Sequence, residues 1–151
     1  MDTVGTPQIV TVLQTAVGPV VVISGVGLLL LTMTNRLGRI VDRSRALAHQ
    51  VRVTTGEEQD NARAQLRILG ERAELVRWAI LFAGMCVLFI AVLVISLFVA
   101  ALFDVEVAWL IAGFFIVSML CLVASLVMFI RDINKSLHAT ALEVGEDWKR
   151  R

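Results

Sequence analysis

Four arginines fall within the stretch TNRLGRIVDRSRAL, residues 34–47, which directly follows a long apolar run. Guanidinium groups in such a place can anchor a helix at the bilayer surface, bind anionic lipid headgroups, or ring the mouth of an oligomeric pore. At about 100° per residue, three of the arginines lie along one flank of a helix and Arg45 lies on the other. Asp42 can pair with Arg39 or Arg45. The candidate residues for these roles are Asn35, Arg36, Arg39, Asp42, Arg43 and Arg45.

A face of polar and small residues runs along the preceding apolar segment. It consists of Thr11, Gln14, Gly18, Gly25 and Thr32, which fall on one side of a helix. Gln14 is the most informative of them, because a primary amide in hydrocarbon needs a hydrogen-bond partner or water. The face has two interpretations, namely close packing against another helix or the lining of a water-filled path.

The sequence offers little for catalysis. His49 and His138 have no HExxH or related spacing, and the chain contains no GxSxG, P-loop or dinucleotide-binding glycine pattern. Cys86 and Cys121 lie in apolar runs without a CxxC partner, which favours buried small side chains over a redox or metal site. We therefore predict no enzymatic activity, no cofactor and no metal. The net charge of +1 gives no reason to expect nucleic-acid binding.

The elements that must position these residues are membrane helices. Hydrophobic residues make up 58% of the 151 positions, more than a soluble chain of this size could bury. No Asp, Glu, Lys, Arg or His lies between Asp2 and Arg36, and the same holds for residues 78–103 and 107–130. Each stretch exceeds the roughly 20 apolar residues that a helix needs to cross the hydrocarbon core. We predict an all-α, polytopic membrane protein, a single domain over residues 1–151, with transmembrane helices at about residues 9–33, 78–103 and 107–130.

The distribution of charge predicts the orientation. Nine arginines lie in residues 36–77 and five Lys or Arg residues lie from Arg131 onward, whereas the N-terminus and the link with Asp104 and Glu106 have no basic residue. By the positive-inside rule, both basic segments face the cytoplasm, while the N-terminus and the acidic Asp104–Glu106 turn lie outside. No charged side chain lies inside any of the three predicted spans, which argues against an ion-coupled transporter.

Helical periodicity continues beyond the membrane in residues 34–77. Apolar side chains recur at alternating spacings of three and four residues on both sides of VTTGEE, the pattern of two packed helices. The two sets are Leu37, Ile40, Ser44, Leu47 and Val51, and Ala62, Leu66, Leu69, Ala73, Val76 and Ile80. We predict a cytoplasmic helical hairpin that continues the first helix to about Arg52 and turns at residues 54–56, with Thr55 and Glu58 as a capping box. The tail, residues 131–151, is predicted to extend the third helix as an amphipathic segment.

Two further stripes of small residues are interpreted as packing surfaces, because small side chains let membrane helices approach closely. The third span carries Ser118, Cys121 and Ser125, and the second carries Ala83, Gly84 and Ser96. Together with the apolar stripes of the hairpin, these faces leave more interface than one chain can bury, so we predict self-association.

The pattern NR-L-x-R-x-x-D-R-x-R resembles that of a known family of bacterial integral membrane proteins, domain of unknown function 2721. Its positions here are Asn35, Arg36, Leu37, Arg39, Asp42, Arg43 and Arg45. The resemblance extends over about residues 9–142 and includes the helical return with ERAELVRWAI and the tight apolar hairpin that follows. It implies a bacterial inner-membrane location and a role for the Asn35–Arg45 pattern in folding, assembly or function.

Two functions are consistent with these residues. The first is a homo-oligomeric channel or pore, in which the first helix lines the path and arginines form a basic cytoplasmic mouth. The second is a non-catalytic membrane scaffold or regulator, whose hairpin binds a partner protein or anionic lipid. Both predict the lipid bilayer and further copies of the chain as partners, with anionic lipid headgroups as a further candidate.

Overall fold

The computed structural model describes the backbone of residues 6–103 and 108–149, and the side chains of residues 10–11, 13–103 and 108–136. The described chain forms three long helices: α1 (Thr6–Val53), α2 (Glu57–Phe103) and α3 (Ala108–Lys149). All three are long and apolar enough to cross a membrane. The described chain is thus all-α with three candidate membrane spans, as predicted. The predicted outer turn with Asp104 and Glu106 lies outside the described residues.

Helix α1 continues without interruption from its apolar part into the arginine-rich stretch, and Pro19 lies inside it. Its end at Val53 and the start of α2 at Glu57 confirm the predicted helical extension to about Arg52. Helix α3 likewise extends through most of the tail, to Lys149. The charged segments are therefore continuations of the apolar helices.

The turn between α1 and α2 depends on Gly56. Its φ of 77° lies in the left-handed region, where a residue with a Cβ is strained. The Gly56 carbonyl accepts hydrogen bonds from the backbone N–H groups of Gln59 and Asp60, at 3.0 and 3.3 Å. Gly56 therefore caps α2, and the predicted capping box at Thr55 was wrong, because the helix begins one residue later than that box requires.

The described residues form two compact units, and each helix contributes to both. The apolar unit comprises the described residues within Met1–Leu31 and Leu81–Ala124. Val26, Ala83, Cys86 and Ile90 form its buried cluster. The described residues of this unit include no Asp, Glu, Lys or Arg, and most of the exposed large hydrophobic side chains of the protein lie in it.

The charged unit comprises the described residues within Thr32–Ile80 and Ser125–Arg151. Here α1 and α2 pack as an antiparallel pair around Ile40, Leu47, Ala62, Leu69 and Val76. Partly buried hydrophobic side chains from both predicted stripes complete this cluster: Leu37, Val51, Leu66, Ala73 and Ile80. The two apolar stripes read from the sequence are thus confirmed as the contact surface of the helix pair.

Buried residues recur every seven positions in all three helices. In α1 they are Val26, Met33, Ile40 and Leu47; in α2 they are Ala62, Leu69, Val76, Ala83 and Ile90. In α3 they are Ser118, Ser125 and Asp132. A strict seven-residue repeat of this kind is typical of coiled-coil packing. The first two helices bury apolar side chains at these positions, whereas α3 buries only polar ones.

Candidate functional site

A buried carboxylate joins the three helices of the charged unit. Asp132 of α3 is fully buried, with 0% of its surface exposed. Its side chain contacts Arg36 of α1 and Arg72 of α2, which remain 21% and 18% exposed. A carboxylate removed from water is very unfavourable unless cations compensate it, and here each of the other two helices supplies one.

The two arginines bind different oxygens of Asp132, and both do so through Nε. Arg72 Nε donates a hydrogen bond to Oδ1 at 3.2 Å. Arg36 Nε lies 2.6 Å from Oδ2 and forms an ion pair with it. The N–H is not aligned for a hydrogen bond, and Oδ2 accepts no hydrogen bond within the described chain. Charge attraction is therefore the main interaction between Arg36 and Asp132. Arg36 also lies over the ring of Phe129, 5.7 Å from its centroid, in cation–π range.

Four arginines line one open pocket in the charged unit. Arg36, Arg39 and Arg43 come from α1, and Arg72 comes from α2. The remaining lining residues are Ile40, Leu69 and Ser136. The pocket holds about 350 Å³, at the small end of the range for ligand sites. We call it the arginine pocket. None of its lining residues is acidic.

The structure separates the predicted arginine-segment residues into two groups. Arg39 and Arg43 line the pocket together with Arg36, and both are exposed. Asn35, Asp42 and Arg45 are also exposed but do not line it. Among the described residues, Asp42 forms no ion pair, so the pairing with Arg39 or Arg45 considered from the sequence is not made.

The polar face of α1 does not pack against other described residues of the chain. Thr11, Gln14, Gly18, Gly25 and Thr32 are all exposed. A Cβ added at Gly18 or Gly25 would meet no atom within 4 Å, so no other described helix lies close to α1 at either glycine. The side chain of Gln14 makes no hydrogen bond with any described residue.

The other small-residue stripes do serve packing, in part. Ser118 and Ser125 are buried, and Cys121 packs against the buried cluster of the apolar unit. Ser125 Oγ donates a hydrogen bond of 2.7 Å to the Ala79 carbonyl of α2. On α2, Ala83 is buried and Ser96 is half-buried, whereas Gly84 is exposed and packs against no described residue of the chain.

Neither Asp132 nor Arg72 was recognised as a site residue from the sequence. The predicted third span ended at Ile130, and Asp132 was counted with the solvated tail. The signal that could have found it is spacing, because Asp132 continues the Ser118–Ser125 stripe by seven further residues. Arg36 follows the buried Met33 by three residues, and Arg72 follows the buried Leu69 by the same number, so each arginine lies next to a buried position on its helix.

The fold and the site together give an all-α protein with three helices long and apolar enough to cross a bilayer and a basic pocket in its charged unit. The family model described as Protein of unknown function (DUF2721) matches residues 16–142. The chain therefore belongs to this family, as its arginine pattern indicated. The comparisons with curated proteins and with solved structures found no match.

Proposed function

We propose that this protein is a non-catalytic, homo-oligomeric channel of the bacterial inner membrane, with the polar face of α1 along the path. The proposal places the N-terminus outside and the helical hairpin in the cytoplasm, following the positive-inside rule. The observation that carries it is the exposure of Gln14 on a surface that no described part of the chain covers.

A cost in free energy supports this assignment. An amide moved from water to hydrocarbon without a hydrogen-bond partner costs roughly 2–7 kcal/mol. Several copies that turn this face inward would give Gln14 either water or an amide of a neighbouring copy, and the exposed Gly18 and Gly25 would let the helices approach closely. The large apolar side chains elsewhere on the apolar unit would then face lipid.

Ion flux through liposomes that contain the purified protein tests this proposal. Gln14→Leu should abolish or strongly reduce flux, because it removes the polar group from the path. Ser24→Ala is the matched control, since the Ser24 hydroxyl bonds to the Val20 carbonyl of its own helix. Light scattering must show that each variant keeps the oligomeric state of the parent. Flux that is absent from a correctly assembled oligomer, or unchanged in Gln14→Leu, would refute the channel.

Charge selectivity at the cytoplasmic mouth offers a second measurement. A basic mouth favours anions, so Arg39→Glu should shift the reversal potential toward cation preference. Arg36 is unsuitable for this purpose because it also compensates the buried Asp132.

The second candidate is a membrane scaffold or regulator whose hairpin binds a partner protein or anionic lipid. The arginine pocket favours it, since Arg39 and Arg43 form no ion pair with any described residue and remain available. A photocrosslinker at the exposed Gln65 should capture the same partner in repeated isolations from cells. Capture of further copies of the chain alone would contradict a protein-binding role.

A further inference from the structure

We propose that the arginine pocket binds the phosphate of an anionic phospholipid headgroup. The inference rests on the second proposed function and names its partner. It does not require that the protein conduct ions.

The first argument is charge. Four arginines and one aspartate meet at this site, and four minus one leaves three positive charges without a compensating acid among the described residues. Guanidinium groups that line one pocket repel one another, and a bound anion relieves that repulsion. Asp132 cannot serve as that anion for Arg39 and Arg43, because it is buried against the other two arginines.

The second argument is the way in which Asp132 is bound. Arg36 and Arg72 both contact it through Nε. Their terminal Nη groups therefore keep donors that no described acidic side chain uses. A planar guanidinium with free Nη donors binds phosphate oxygens in pairs of parallel hydrogen bonds. Asp132 thus acts as a positioning residue, which holds two of the four guanidinium groups in place without occupying them.

The third argument is depth in the membrane. Arg36 lies three residues beyond the end of the predicted first span, Arg72 lies six before the second, and Ser136 lies six after the third. At 1.5 Å per residue these positions, and Arg39, are about 5–9 Å from the hydrocarbon boundary, and Arg43, ten residues beyond the first span, is about 15 Å from it. The headgroup layer is itself about 5–7 Å thick on each side of a bilayer. The membrane-proximal end of the pocket, at Arg36, therefore lies at the level of the lipid headgroups, and the other arginines lie just beyond it, which favours a lipid over a soluble anion.

The experiment measures lipid binding by the full-length protein in detergent micelles. Native mass spectrometry compares phosphatidylglycerol with phosphatidylcholine for three proteins: the parent, Arg39→Gln/Arg43→Gln and Arg45→Gln/Arg77→Gln. The last is the matched control, since Arg45 and Arg77 are exposed, do not line the pocket and form no ion pair with described residues. Each double variant loses two positive charges, so a non-specific attraction of anionic lipid to the basic surface would weaken equally in both.

We expect the parent to prefer phosphatidylglycerol. Arg39→Gln/Arg43→Gln should weaken its binding about tenfold or more, because each charge-assisted hydrogen bond contributes on the order of a tenfold change in affinity. The control should change affinity less than about twofold. Equal weakening in the two variants would overturn the pocket as a site. Thermal unfolding of both variants at the parent's temperature excludes loss of fold as the cause.

A second arm identifies the source of the phosphate. Inorganic phosphate is titrated into the same micelles without anionic lipid and followed by calorimetry. Weak or absent binding, with no dependence on Arg39 and Arg43, supports the lipid headgroup. Binding of inorganic phosphate as tight as that of phosphatidylglycerol, and lost in the same variant, would overturn the lipid assignment. A protein partner captured by the hairpin without any lipid preference would leave the scaffold standing and refute this inference alone.

Discussion

The apolar unit and the charged unit share one helical repeat but bury different chemistry between their helices. In the apolar unit, α1 and α2 bury Val26, Ala83, Cys86 and Ile90 around one another. In the charged unit, the same seven-residue spacing on α3 ends in Asp132, with an arginine from each neighbour. The comparison shows that one packing pattern can hold either apolar contacts or a compensated charge. Four predictions test it, in order of decreasing effect.

The largest effect should come from removing both cations from Asp132. Arg36→Ala/Arg72→Ala leaves a fully buried carboxylate uncompensated and should lower the free energy of unfolding by about 3–5 kcal/mol. Each single change leaves one arginine in place, so the double change should exceed the sum of the two single ones. Denaturant unfolding in detergent micelles measures all three variants.

The matched control removes two arginines that have no acidic partner among the described residues. Arg39→Ala/Arg43→Ala should change the free energy of unfolding by no more than about 0.5 kcal/mol, since both side chains are exposed. If this control destabilises the protein as much as the loss of Arg36 and Arg72, net charge and not the buried pair explains the effect.

In the apolar unit, the corresponding change is one of volume. Ala83 is completely buried, so Ala83→Leu should overfill the space between the helices and cost about 1–3 kcal/mol. Gly84 is exposed and a Cβ there meets no atom within 4 Å, which makes Gly84→Leu the control for the same new side chain. Denaturant unfolding of both variants measures the two changes in the free energy of unfolding. Equal destabilisation would mean that the apolar unit is not packed as described.

A smaller effect is expected from the hydrogen bond between α3 and α2. Ser125→Ala removes the donor to the Ala79 carbonyl and should cost about 0.6 kcal/mol, the average for such bonds between membrane helices. Ser96→Ala removes a hydroxyl that bonds to Val92 of its own helix and should cost less. A larger loss for Ser96 than for Ser125 would contradict a contribution from the bond between helices.

The smallest effect concerns the exposed charges of the charged unit. Glu71 lies 3.8 Å from Arg67 and 3.9 Å from Lys135, with all three side chains more than half exposed. Glu71→Gln should lower the free energy of unfolding by no more than about 0.3–0.5 kcal/mol, the range for exposed i,i+4 pairs, and high salt should abolish the difference. Unfolding curves at low and high salt test this. If the stability difference between Glu71→Gln and the parent persists at high salt, the exposed ion pairs are as little screened by salt as the buried pair at Asp132.

Helix boundaries and packing faces were largely predictable from the sequence. The turn at Gly56 follows from a break in the apolar repeat, and the stripes that contain Ile40 and Leu69 follow from alternating spacings of three and four. Periodicity is a local property, since residues on one helix face share it whatever they touch. Thr55 shows its limit, because the cap was placed one residue from its true position.

The candidate site was predictable only in part. Arg36, Arg39 and Arg43 were recognised as a basic flank of α1, but Arg72 lies far along the chain and was not connected with them. Asp132 was assigned to the tail because hydropathy ends the third span at Ile130. The pairing of acids with arginines depends on how the three helices are aligned along one another. That alignment cannot be read from the sequence of any one helix. The polar residues around Gln14 were recognised as one helix face, but the sequence did not show that the described part of the chain leaves this face exposed.

The sequence by itself determined three apolar helices, their continuation into charged extensions and the faces on which they pack. These properties depend on the solvation of each residue and on its spacing along one helix. The tertiary structure decided that Asp132 meets Arg36 and Arg72, and that two further arginines join them around one pocket. Electrostatic attraction falls off with distance and rises steeply on burial. The contribution of a charged side chain to stability therefore depends on which helices pack around it.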